Sequence, residues 1–464
     1  MRTWFTHEVY AATRRAQFTR RGFMRAAAGA GALALANRGR SLSRTAPPWS
    51  VVVVPDPQYM AAASVCSNQP AGYDSLMSWI VDNCNLLLVN GVPLSIKAAI
   101  AVGDCVNSAD PVYGNEGLIA AKAWSRLDAA GIHKQMVPGN HDWAKGSGAG
   151  FSRDDAHLDG VWTGDNPFSA SGLASVLGSG MSLGGSDDTA YWGGSYNSTG
   201  ANTFTTMNIG NRRILMIGLE FFPRSEVLNW AKSIHDAHPD HECWITTHSY
   251  LSDQPNSSSD PNTPSNRVCR GTGGPNSCWG PDVYAMGAAP ASNCGDEMWN
   301  GSDATWQDGL KSFTNLTAVF SGHWIDPATD SGWYWQRNFP KSSSAGGQNV
   351  LELFANWQQL DWTTQCGGNP QNGVSDSGHL LILRFREDLV PRVVEAFALS
   401  TNSGRWYGAK GSVPSAGPVQ LFSLDFPGIP PAACHNSIHP PAQESVSAGP
   451  LDGARCGEIE SIAP

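Results

Sequence analysis

Short apolar runs that end on polar residues set the reading of this chain. Val51–Val54 is an unbroken β-branched run of the kind found in strands buried on both faces. Ile96–Val102, Ile132–Val137, Thr203–Met207, Arg213–Leu219, Glu242–Thr247, Thr317–Phe320, Val350–Phe354, His379–Phe385 and Arg392–Leu399 read as further strands. Between them, Tyr73–Leu88, Glu116–Ala130, Ser225–Ala237 and the stretch around Trp306–Phe313 carry apolar positions at helical spacing. The strand–helix alternation from 51 to 137 predicts a βαβαβ run with parallel strands, where ligands collect beyond the carboxyl ends. Periodicity fails over about 145–200 and 251–303, which predicts two long loop insertions beside those ends.

The residues that end the strands are unusual as a set. In chain order they are Asp56-Pro57-Gln58, Gly103-Asp104, Gly139-Asn140-His141-Asp142, His248 and Gly322-His323. A lone Gly-Asp or Gly-His is most often a turn, but five such endings, each after a strand, point to one shared site. Carboxylate, amide and imidazole donors brought to one sheet edge make a cage for two divalent cations. Asp104 can bridge both, Asp56 and Gln58 can offer oxygens to one, and Asn140, His248 and His323 can hold the other. Such a pair would activate a water for attack on phosphorus. His141, next to Asn140 in sequence, reads as the acid for the leaving oxygen, oriented by Asp142. Glu220 is predicted to stand behind His248. Trp143, Trp324, Trp333 and Trp335 lie near the motifs, where they would stack on a substrate ring or simply pack.

With these residues in place, the chain resembles the calcineurin-like metallophosphoesterase superfamily from about Val51 to Phe385, and especially its secreted members that open with Asp-x-Gln. The resemblance implies an α/β/β/α sandwich of two mixed sheets flanked by helices. It also implies Asp56 and Gln58 on a first metal, Asp104 bridging, Asn140, His248 and His323 on a second, and His141 at the leaving group. Three positions depart from the pattern. Gln58 stands where most members have His, Ile325 where the closing Gly-His-x-His has its last His, and Asn107 where Gly-Asp-x-x-Asp has its second Asp. The first two predict a weaker first site beside an intact second one; manganese, iron and zinc all suit the donors. The expected activity is hydrolysis of phosphomonoesters or phosphodiesters, with a small phosphoester as the partner. The alternative is a degenerate relative that binds a phosphorylated or carbohydrate ligand without turnover; Gln58 and Ile325 favour it, and the retained Asn140-His141-Asp142 opposes it. A purple-acid-type phosphatase would need a Tyr after Gly-Asp, where Val106 and Asn107 stand.

Composition fills in the surroundings. With 41% apolar residues, 15% charged residues, 50 Gly and 30 Pro, the chain predicts one large domain, 50–400, carrying long ordered loops. Residues 1–36 fit a twin-arginine signal: Thr19-Arg20-Arg21-Gly22-Phe23-Met24-Arg25 precedes an Ala-rich apolar stretch ending Ala34-Leu35-Ala36. Export to the periplasm or the exterior follows, with 37–49 as a linker and 401–464 as a Pro-rich extension. No stretch reaches the roughly 20 apolar residues of a membrane span. The first 40 residues hold eight Arg against one Glu, so the remainder is more acidic than the net −10 of the whole, which disfavours nucleic-acid binding. Ten cysteines in an exported protein predict disulfides, with Cys84 and Cys243 also placed to be core thiols.

Overall fold

The run Val51–Val54 is where the fold is organised. Strand β1 (Trp49–Val54) is buried along its whole length. Its even and odd positions face different cores: Val52 and Val54 pack under helices, while Val51 and Val53 pack against a second sheet. This computed structural model describes residues 46–61, 71–109, 115–143, 158–185, 187–251, 305–323, 332–337, 350–357, 378–408 and 415–426. The expected leader, the 251–303 insertion beyond Leu251, Trp324, Ile325 and seven of the ten cysteines lie outside these residues, as do the side chains of Trp333 and Trp335.

After β1 come α1 (Ala71–Asn83), a short hairpin of β2 (Leu88–Val89) and β3 (Val92–Pro93), β4 (Ile96–Ala101), α2 (Glu116–Ala129) and β5 (His133–Met136). Helix α1 ends sooner than the predicted 73–88, because the chain turns through Asn83–Leu86 and pairs Leu88 with Pro93. Then follow α3 (Ala170–Leu177), β6 (Met181–Ser182), β7 (Thr189–Ser195), β8 (Thr203–Ile209), β9 (Arg212–Leu219), α4 (Ser225–Ala237) and β10 (Glu242–Thr247). Where a helix was predicted around 306–313, a π-turn at Thr305–Gly309 runs into a 3-10 turn at Leu310–Ser312. The last strands are β11 (Leu316–Ser321), β12 (Gly332–Arg337), β13 (Leu351–Asn356), β14 (His379–Arg386), β15 (Val393–Ser400), β16 (Trp406–Tyr407) and β17 (Gln420–Asp425). Both β16 and β17 pair with β15, so the sheet draws in residues expected to lie in a separate extension.

These strands form two mixed sheets. One runs β16-β15-β14-β1-β4-β5 with β17 on β15; the other runs β12-β13-β11-β10-β9-β8-β7-β6. β1, β4 and β5 are parallel, as are β9, β10, β11 and β13, so the tips of all seven reach one edge. Helices α1 and α2 cover the outer face of the first sheet, with Trp124 donating to the Tyr73 hydroxyl at 2.8 Å between them. Helix α4 covers the outer face of the second through Val227, Leu228 and Ala231. The architecture is therefore helix, sheet, sheet, helix, as expected.

Between the sheets, Trp49 stacks on Phe385 with ring centroids 4.2 Å apart, and Trp244 stacks on the same Phe385 at 5.4 Å. At the edge away from the parallel tips, buried Arg212 of β9 donates to both oxygens of Glu242 at 2.9 Å and to the carbonyl of Phe426 at 2.7 Å. It also pairs with Glu387, just beyond β14 of the other sheet. Removing one member of so buried a cluster leaves an unpaired charge, which costs about 3–5 kcal/mol. Among the described residues, Cys84 and Cys105 are free thiols, and Cys243 is buried in the core as expected. No described helix is long and apolar enough to cross a membrane.

A second buried polar contact links the sheets. His133 on β5 reaches the Thr205 hydroxyl on β8 at 3.0 Å, and burial, aided by the Lys134 charge, pushes its pKa down to about 3. The unfolded chain takes up this proton near pH 6.5. Stability therefore falls as pH drops from 6.5 toward 3, by up to about 1.4 kcal/mol per pH unit. Denaturant titrations between pH 7 and pH 5 should show a shallower acid loss in His133→Gln; an unchanged slope would contradict a neutral buried imidazole.

Candidate metal centre

At the shared edge the backbone adopts conformations that ordinary residues avoid. Asp56, Asp104 and His323 all have positive φ, at 35°, 48° and 74°. Each costs about 1–3 kcal/mol and persists only where its surroundings fix it. The fixing groups are visible. Asp104 Oδ1 accepts the His141 N–H at 2.9 Å, and Asp56 Oδ2 accepts the His323 N–H at 2.7 Å.

The motif glycines make the crowding possible. A Cβ on Gly103 (φ 115°) would overlap the His248 ring, one on Gly139 would overlap the Asp104 carboxylate, and one on Gly322 would overlap that of Asp56. Each glycine thus clears room for a polar side chain delivered by a different strand. The five motifs interlock.

His248 lies at the centre and is fully buried. Its Nδ1 sits 2.8 Å from the Val102 carbonyl, which can only accept, so that nitrogen carries the proton. Nε2 is left with a lone pair, and it faces Asn140 Oδ1 at 3.1 Å, Asp104 Oδ1 at 3.2 Å and His323 Nδ1 at 3.1 Å. Burial, reinforced by the neighbouring His323, outweighs the attraction of Asp104 and lowers the His248 pKa, so a second ring proton is disfavoured. The Asp104 and Asn140 oxygens can only accept, and aimed at the Nε2 lone pair they repel it unless a cation sits between them. Donors bound to one divalent ion at about 2.1 Å stand about 3 Å apart in an octahedral shell, close to the separations seen. Asp104, His248 and His323 also bring ligand atoms within 4.8 Å of one another. Burial alone would raise the Asp104 pKa, but the imidazoles of His248, His141 and His323, wherever they carry a proton toward it, lower it well below the ordinary carboxylate range.

Asp56 and Gln58 are both completely buried. Asp56 does not join the converging three. Its Oδ1 lacks a hydrogen-bond partner, and burial together with the like charge of Asp104 pushes its pKa well up. The Gln58 amide lies against the Tyr59 phenol, yet neither of its polar atoms makes a hydrogen bond of normal geometry. Buried polar atoms left unmet in this way call for a partner such as an ion. The unmet oxygens of Asp56 and Gln58 therefore fit an oxygen-preferring cation, with no described imidazole to strengthen it.

His141 is steered differently from expectation. Its Nδ1 donates to the Asn107 carbonyl at 2.7 Å. Asp142 is instead a backbone brace, with oxygens that accept from Gly139 N at 2.7 Å and from Cys105 N and Val106 N at 3.2 Å each. The reason is burial: at full burial beside three N–H groups of two loops, the carboxylate satisfies the backbone first. Glu220 is likewise engaged away from His248, accepting from Asn202 Nδ2 at 2.9 Å and Arg224 Nε at 2.8 Å. Trp143 is buried, so among the flagged tryptophans it belongs to the packing.

Two neighbours escaped the sequence reading. Asn356, at the tip of β13, donates to Asp56 Oδ2 and, at 3.0 Å, to the His323 carbonyl, and so clamps both. Phe221, just past β9, lies with its ring 5.5 Å from His248 and 5.1 Å from His323. A polar residue ending a strand was the available signal for Asn356. Phe221 gave none.

The interlock has a direct test. Gly139→Ala forces the Asp104 carboxylate aside, and divalent-metal affinity should fall about 10-fold or more by calorimetric titration, since misplacing a ligand typically costs that much. Gly160→Ala, where a Cβ meets nothing within 4 Å, should bind metal as the wild type does. Equal affinity in both variants would contradict the assigned centre.

No protein-family model matches the chain, and none of the curated proteins matches it. Among solved structures, a dimetal phosphatase from Danio rerio is similar over 76% of this chain and 97% of its own, at 11% identity and a TM-score of 0.35. Likeness that slight leaves the functional reading to the residues themselves.

Proposed function

We propose that this chain is an exported, metal-dependent phosphoesterase. The observation that carries the proposal is the ring of potential ligand atoms around His248 Nε2, where a carboxylate oxygen, an amide oxygen and a second imidazole nitrogen converge. Asp104, Asn140, His248 and His323 would hold one cation; Asp56 and Gln58, with Asp104 shared, would hold a weaker second. When bound, such cations lower the pKa of a water toward neutrality and offset charge on a phosphoryl group.

The chain's own residues supply the rest. With Nδ1 committed to the Asn107 carbonyl, the remaining ring nitrogen of His141, Nε2, is the atom that can pass a proton to a leaving oxygen. The Asp104 carboxylate fixes the backbone at the same residue, so ligand and acid are held by one hydrogen bond. Phe221 walls the two ligating imidazoles with an apolar face. The acidic surface favours a small substrate over a nucleic acid. The paired arginines at 20–21 support the export route.

Nitrophenyl mono- and diesters, assayed together with elemental analysis of natively exported protein, test the proposal. Asn140→Ala should lose metal and activity, whereas His141→Ala should keep metal and lose about 10²–10⁴-fold in rate. Metal bound without turnover of any ester by the wild type would favour the ligand-binding alternative.

A further inference from the structure

The loop after β4 is caged by two buried carboxylates. Its four successive N–H groups, from Cys105 to Ser108, are all taken: the first two by Asp142 and the next two by Glu116. Glu116 Oε2 accepts from Asn107 N at 2.7 Å and from Ser108 N at 3.2 Å. Glu116 opens helix α2, a place where glutamate is normally exposed, yet only 3% of it is accessible.

The Ser108 N–H matters most, because it shares one planar peptide with the Asn107 carbonyl. A trans peptide points its N–H and C=O in opposite directions. On one side the N–H donates to Glu116; on the other the carbonyl accepts the His141 Nδ1–H at 2.7 Å. A hydrogen bond at one end of a peptide polarises the other end, so the carboxylate makes the carbonyl a better acceptor as well as a fixed one.

We infer that Glu116 is the positioning residue for His141, acting through the 107–108 peptide as a carboxylate–peptide–imidazole relay. This rests on the phosphoesterase reading above. Glu116 makes no hydrogen bond to Asp104, Asn140, His248 or His323; it acts on His141 through the peptide and, across space, through its charge.

An acid matters only when the leaving group needs a proton, which gives a readout that general damage would not mimic. Glu116→Ala should cut kcat for an alkyl phosphoester on the order of 10²-fold while changing kcat for a dinitrophenyl ester less than about 3-fold, with metal content unchanged. Glu116→Gln keeps an acceptor for both N–H groups but loses the charge, so its alkyl-ester loss should shrink to about 10-fold and stay selective; it carries the same comparison if the Ala variant fails to fold. Equal losses on both esters, or no loss on either, would overturn the relay. Wild-type protein that cleaves neither ester would instead bring down the phosphoesterase reading, and the relay with it.

Discussion

The hydrogen bond from His248 to the Val102 carbonyl is the constraint on which the rest of the site depends. It runs from the tip of β10 in one sheet to the tip of β4 in the other, at 2.8 Å. By consuming the Nδ1 proton it fixes the tautomer, and by fixing the ring it aims Nε2 at Asp104, Asn140 and His323. The sheets can come this close only because residue 103 lacks a side chain. A hydrogen bond inside a buried, low-dielectric seam is stronger than its exposed counterpart, and breaking it would orphan a buried donor at a cost of about 1–3 kcal/mol.

That seam is held from both ends. At one edge Arg212 joins carboxylates from both sheets; in the middle Trp49, Phe385 and Trp244 stack; at the other edge the strand tips are tied by side chains that are themselves candidate ligands. The rigid middle lets the polar edge bear strain. Left-handed backbone at Asp56, Asp104 and His323 and the unmet polar atoms of Asp56 and Gln58 would be poor choices for stability alone, and they fall on residues that can ligate a charged guest.

Much of this was legible in the sequence. Buried strands such as Val51–Val54 announce themselves by unbroken apolar runs, and polar residues directly after such runs gave Asp104, Asn140, His248 and His323, which the fold brings together. What escaped was set by packing. Strand β7 alternates weakly and includes two glycines, so its pattern resembles a loop, and β17 lies in a Pro-rich stretch. The destinations of Asp142 and Glu220 were misread because a short carboxylate's partner depends on which backbone N–H groups the neighbouring loops bring to it. Glu116 looked like an ordinary helix-opening acid until the loop folded over it.

The shell of atoms around a bound metal is the decisive observable. X-ray absorption spectroscopy of protein loaded with one equivalent of zinc or manganese reads that shell directly. Two imidazole nitrogens with carboxylate and amide oxygens, at about 2.0–2.2 Å, are the predicted result. A shell containing sulfur, or one without imidazole scattering, would contradict a centre built around His248 and His323.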